Sequence, residues 1–149
     1  MIKPFISREV KQIKQMIKDQ WGAEPELHYH FLKSAKGRIH IVTKDIEHID
    51  FRQLRVDTMG LYFGELRKDQ LRLSIEGSQL IGPTATKNVV DITKDEVVLW
   101  LTGNNLEKEG PWENFVIVKH QDDFFGTGRY HEGIITNFVP KSRRLQVVH

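Results

Sequence analysis

The chain has 149 residues, 39% of them hydrophobic and 28% charged, with no cysteine and a formal net charge of +2. That composition excludes a disulfide scaffold and thiolate metal sites, and no stretch approaches the roughly 20 apolar residues of a membrane span. Residues 1–7 lack the apolar core of a signal peptide, so one cytoplasmic domain, or two small ones sharing an interface, is the expectation.

In chain order, Ser7 is expected to cap a helix, with Glu9 in the first turn where the helix dipole favours an acid. Val10, Ile13, Ile17 and Trp21 follow at helical spacing, and Gly22 ends the helix. Lys11, Lys14 and Lys18 line its other face, either a solvated surface or a second phosphate-contacting stripe. Leu27 to Phe31 alternates as a strand, Lys36-Gly37 is its turn, and Arg38 to Thr43 is the return. Asp50 to Leu54 is expected as a short helix. From Met59 the pattern is strand-rich. Leu61 to Leu66 and Leu71 to Ile75 flank a polar turn, and Gly77 to Leu80 makes a helical turn closed by Gly82-Pro83. Val89 to Ile92 is a strand. Thr93 with Glu96 forms a capping box for a helix burying Val97, Trp100 and Leu101 and ending at Gly103. Strands at Phe115–Lys119, Phe124–Tyr130 and Gly133–Phe138 complete the order β-β-α-β-α-β-β-β. The expected class is α+β: a small N-terminal α/β subdomain over residues 1–57, then a mixed β-barrel over 58–149.

Charge is segregated locally rather than globally. Residues 59–149 hold eleven Lys and Arg against twelve Asp and Glu, yet 138–149 carries Lys141, Arg143 and Arg144 with no acid. An arginine on an extended segment can pair a phosphate in bidentate fashion, which makes this terminus the best binding candidate, against the alternative of a solubilising tail. Lys119 and Arg129 on neighbouring strands can extend the patch, and Tyr130 or His131 can stack on a base. Gly126 and Gly128 alternate on one strand, leaving a face without side chains that admits a ligand or another backbone. Lys87 and Asn88 close a loop bounded by Gly77 and Gly82, whose amides and hydroxyls can cradle a phosphate unless it is an ordinary connection. P-loop and dinucleotide spacings are absent. His28, His30 and His40 can make a zinc site in principle, but without HExxH spacing no metal is expected. There is no GxSxG elbow and no base paired with a nucleophile.

The run Trp100-Leu101-Thr102-Gly103-Asn104-Asn105-Leu106, the strand Phe115-Val116-Ile117-Val118, the hairpin Gly126-Thr127-Gly128-Arg129 and the close Asn137-Phe138-Val139-Pro140-Lys141-Ser142-Arg143-Arg144 together resemble a PUA domain. They are similar in particular to the PUA-like domains accompanying the Sun/Fmu family of RNA cytosine-5 methyltransferases, over about residues 59–146. The resemblance implies a PUA barrel that binds RNA in a groove beside the Gly77–Gly82 turn and the last strand. Gly126, Gly128, Arg129, Asn137, Pro140, Lys141 and Arg144 match the motif, whereas Thr136 stands where relatives often have Lys. A methyltransferase domain, an S-adenosylmethionine loop and a catalytic Cys are missing, so methylation chemistry does not carry over. What remains looks like a stand-alone archaeal protein of ribosome biogenesis or tRNA modification: a non-enzymatic binder of rRNA or tRNA without a cofactor. Two alternatives are a protein-interaction module docking a partner through the N-terminal unit, and a hydrolase on a PUA-like barrel.

Overall fold

The computed structural model describes residues 3–44 and 60–145. Helix α1 (Ser7–Trp21) forms because Ile13, Ile17 and Trp21 recur every four residues and place one apolar stripe in the core. Its N-cap is Ile6, one residue before the expected Ser7. The Glu9 carboxylate accepts from the Ile6 N–H at 3.1 Å, so the acid serves the helix start in place of a serine hydroxyl. Gly22 ends the helix with φ 62°, a left-handed conformation that disfavours any residue with a Cβ.

Strands β1 (Lys3–Pro4), β2 (Tyr29–Lys33), β3 (Arg38–Thr43), β4 (Leu61–Arg67) and β5 (Gln70–Leu73) form an antiparallel sheet in that order. β2 begins two residues later than the alternation of Leu27 to Phe31 suggests. The Lys36-Gly37 turn is present, both residues having positive φ. The helix expected at Asp50–Leu54 lies outside the described residues. β4 pairs with β3 across the expected division at 57/58, so the first sheet includes strands assigned by sequence to the C-terminal domain.

Helix α2 (Ile75–Ile81) leads to a second five-stranded sheet that curls into a half-barrel. It contains β6 (Val89–Asp91), β7 (Leu106–Glu107), β8 (Asn114–His120), β9 (Asp123–His131) and β10 (Ile134–Thr136), in the order β6-β8-β9-β10-β7. β6 runs parallel to β8 and the other pairs are antiparallel. The whole is a mixed α+β fold, as expected, with the short β7 added to the order read from sequence.

The two sheets share a core. Ile13, Ile17 and Trp21 of α1 pack with Phe63 and Leu73 of the first sheet and with Phe115 and Ile117 of the second. A second cluster gathers Val90, Trp100, Leu106, Val116, Val118 and Ile135. Helix α3 (Lys94–Leu101) reaches it through Trp100 alone as a fully buried residue; Val97 and Leu101 are half-buried, and Val98 and Leu99 face solvent. Among the described residues no helix is long and apolar enough to cross a membrane.

The capping box of α3 is as expected: Glu96 N–H donates to Thr93 Oγ1 at 3.2 Å, and Thr93 N–H donates to Glu96 Oε1 at 2.9 Å. Burial alone would raise the Glu96 pKa, but the bonds from the Thr93 backbone and from Lys108 outweigh it and hold the carboxyl below its ordinary value. A lowered folded-state pKa contributes stability that is full above the ordinary carboxylate range and is lost as pH falls through the lowered value. Thr93→Ala should therefore cost about 1 kcal/mol in urea unfolding at neutral pH. Glu96→Gln should remove this segment's share of the stability loss between neutral and acidic pH.

Candidate nucleic-acid interface

The polar loop after α2 is committed to the fold. Thr86 and Lys87 both donate their N–H to Trp21 O, at 2.8 and 3.2 Å, and Ala85 N–H donates to Gly82 O. Of the amides expected to cradle a phosphate, those of Thr86 and Lys87 are thus engaged by the C-terminus of α1 and that of Ala85 by Gly82. Asn88 is equally occupied, its Nδ2 donating to Gln20 O at 2.8 Å and its Oδ1 accepting from Glu113 N–H at 3.1 Å. Gly77 and Gly82 have packing roles. A Cβ on Gly77 would meet Phe63 O at 2.1 Å, and one on Gly82 would meet the Phe124 ring at 2.3 Å.

The side-chain-free face of β9 is also filled from within. A Cβ on Gly128 would meet Ile135, Trp100 and the Thr136 carbonyl at 2.5 to 2.7 Å. Gly126, with φ 90°, lies against Ile75 of α2 and donates its N–H to Ser78 Oγ at 2.8 Å. Both glycines are buried; Gly128 is crowded by Trp100 and by β10, including its backbone, whereas Gly126 meets Ile75 only at ordinary contact distance. Asn137 is a latch. Its Nδ2 donates to Trp100 O and Asn104 O, its N–H to Asn105 Oδ1, and its Oδ1 accepts from Val139 N–H. Arg144 donates from Nε to Val139 O at 3.0 Å and lies over Gly103. These residues of the recognised motif set the geometry of the C-terminal segment.

The remaining predicted cations are spread over the surface. Lys141 and Arg129 are exposed. Arg143 pairs with Glu76 on α2. Lys87 and Lys119 line a depression of about 890 Å³ that also contains Asp91, Glu113 and Asp122, so acids outnumber bases there. Tyr130 packs edge-on against Trp112, with centroids 5.5 Å apart, and its hydroxyl donates to Glu109. His28 is exposed beside Glu26, and among the described residues no group of three His, Cys, Asp or Glu is placed to hold a metal.

A separate groove of about 590 Å³ runs between the first sheet and the C-terminal segment, with the start of α2 at its base. Its lining takes Ser74 to Glu76, Phe138 to Pro140, Ser142 and Arg143 but no residue of the Gly77–Gly82 turn or of β10, so it lies next to the surface that the resemblance implies and does not coincide with it. Gly126 and Arg143 are the sequence-predicted residues on its lining. His40, weighed in the sequence only as a metal ligand, and Phe138 and Pro140 of the motif also line it, and Arg38, Tyr62, Glu65 and Arg72 are residues that the sequence did not single out. Arg72 sits 4.5 Å over the Phe138 ring and pairs with Glu65 at 2.5 Å. Tyr62 lies 5.4 Å from the His40 ring, and Arg38 opposes Glu65 across the β3–β4 ladder. Three arginines against two glutamates leave the lining with one net positive charge before His40 is counted. Only strand register reveals this grouping. Arg38, Tyr62 and Arg72 sit on three successive strands of one sheet.

If Gly128 and Asn137 serve the fold, their substitution should register in stability. Gly128→Ala should destabilise by about 1–3 kcal/mol through overpacking against Trp100 and a backbone carbonyl. Asn137→Ala should cost about 2 kcal/mol by leaving Val139 N–H and two carbonyls without their partner. Thermal and urea unfolding of the two variants checks both values.

Residues 87–145 match the family model of the methyltransferase RsmF PUA domain. Ribosomal RNA small subunit methyltransferase F of Vibrio vulnificus, in strains YJ016 and CMCP6, is 27% identical to the chain over 89 residues, 60% of this chain. The chain spans only 19% of the length of those relatives. The C-terminal part of the chain is thus similar to the PUA domain of RsmF-type methyltransferases, in keeping with the resemblance carried by its motifs.

Proposed function

We propose that the chain is a non-enzymatic binder of ribosomal RNA that serves rRNA modification or maturation, holding RNA along the groove between the first sheet and residues 138–143. The observation that carries this reading is the match of residues 87–145 to the PUA domain of an rRNA methyltransferase. An arginine- and aromatic-lined groove on the edge of that same segment supports it. A binding role is favoured over hydrolysis because two of the hydroxyls on the lining are occupied by backbone. Ser74 donates to Tyr62 O and accepts from Gly77 N–H, and Thr127 donates to Leu73 O.

Arg143 lines the groove and Lys141 is exposed two residues before it, and a phosphate reaching Arg143 competes with Glu76 for it. Lys141→Ala with Arg143→Ala should weaken binding of a small-subunit rRNA fragment. Each lost phosphate contact should reduce the slope of log affinity against log salt by about 0.7–0.9. Glu76→Gln, which releases Arg143, should strengthen binding. Fluorescence anisotropy across a salt series, with tRNA as the comparison ligand, reads all three effects. Unchanged affinity of the double variant for both RNAs would contradict the assignment.

A further inference from the structure

We infer that the groove receives an unpaired nucleotide, and that the N-terminal sheet, outside the matched PUA segment, supplies the wall against which its base stacks. This inference rests on the RNA-binding reading. Three observations lead to it. The first is size: about 590 Å³ is the volume of a small-molecule site and has room for a nucleotide or two, not for a duplex.

The second is the character of the wall. Arg72 brings its guanidinium carbon within 4.5 Å of the Phe138 ring centroid, while Glu65, which also pairs with Arg67 at 3.6 Å, holds it at 2.5 Å and offsets its charge. Glu65 is itself buried, so this pair is fixed in place. A paired guanidinium on an aromatic ring, with half-buried Tyr62 also on the lining, is a π surface. Such surfaces recognise bases that have left a helix, whereas paired bases present only their edges.

The third is charge. Of the three arginines on the lining, Arg72 and Arg143 are paired with Glu65 and Glu76, and Arg38 has no acid within ion-pair distance among the described residues. One available cation suits one phosphate, while a surface that tracks a duplex needs a row of them. Arg38, Tyr62 and Arg72 all precede residue 87, so the N-terminal sheet contributes recognition as well as support.

The test titrates the full chain with three fluorescent RNAs: a blunt hairpin, the same hairpin with a short unpaired extension, and that extension made abasic. The unpaired extension should raise affinity at least about five-fold over the blunt hairpin, and the abasic one should not, since stacking on the base supplies the gain. Tyr62→Ala should abolish the gain and Tyr62→Phe should keep it. Arg38→Gln, a change at an exposed position that leaves the core intact, should reduce the salt slope on the extended hairpin by about 0.7. A blunt hairpin that binds as well as the extended one, or a Tyr62→Ala loss equal on both, would overturn the nucleotide slot while leaving RNA binding in place. Failure of the unaltered protein to bind any of the three would overturn both.

Discussion

Trp21 is the joint on which the architecture depends. It is fully buried at the last turn of α1, and its indole N–H donates to Phe115 O on β8 of the second sheet at 3.1 Å. Its own carbonyl accepts from both Thr86 and Lys87, which begin the run into β6. One residue of the N-terminal helix therefore ties down the entry to the second sheet and a central strand of it. Burial of so large a side chain is worth about 3 kcal/mol or more, and its hydrogen bonds are directional where the apolar contacts are not. Gly22 is needed immediately afterwards because the chain must turn at positive φ to let Thr86 approach; a Cβ there would meet Thr86 Oγ1 at 2.0 Å.

From that joint follows the division of labour among polar residues. Fixing the sheets against one another requires hydrogen-bond partners for the backbone carbonyls as well as the amides of the connecting segments. Asn88, Asn137 and Arg144 supply them. Groups so engaged are not available to a ligand without a cost to stability. The groups left at the groove are of another kind: cross-strand charge pairs, aromatic faces and Arg143, with Lys141 exposed two residues before it. On the proposed reading recognition falls to the groove between the first sheet and residues 138–143, and the glycine hairpin is part of the scaffold beside it.

Local elements were legible in the sequence wherever spacing and caps coincided. The i, i+4 run from Ile13 to Trp21 with Gly22 behind it located α1, and Thr93 with Glu96 located α3. Of the alternating Gly126 and Gly128, it is Gly128 that neighbouring groups approach closely. What approaches was not legible, because Trp100 and β10 arrive there through tertiary packing. At α3, of the three residues expected to be buried, Trp100 is fully so and Val97 and Leu101 are half-buried. The cap at Ile6 was missed because a glutamate three residues ahead can replace a capping hydroxyl. Arg38, Tyr62 and Arg72 carry no motif at all. Their meeting is a product of antiparallel register, including the irregularity between Ile39 and His40, which no single-residue pattern announces.

The central claim is that RNA lies in the groove between the first sheet and residues 138–143. Ultraviolet crosslinking of the intact chain to small-subunit rRNA, with the modified peptides identified by mass spectrometry, tests it most directly. The account predicts crosslinks on the peptides that carry Tyr62, Phe138 and residues 141–143. Crosslinks confined to the Lys11, Lys14 and Lys18 face of α1, or to the depression around Lys87 and Lys119, would contradict it.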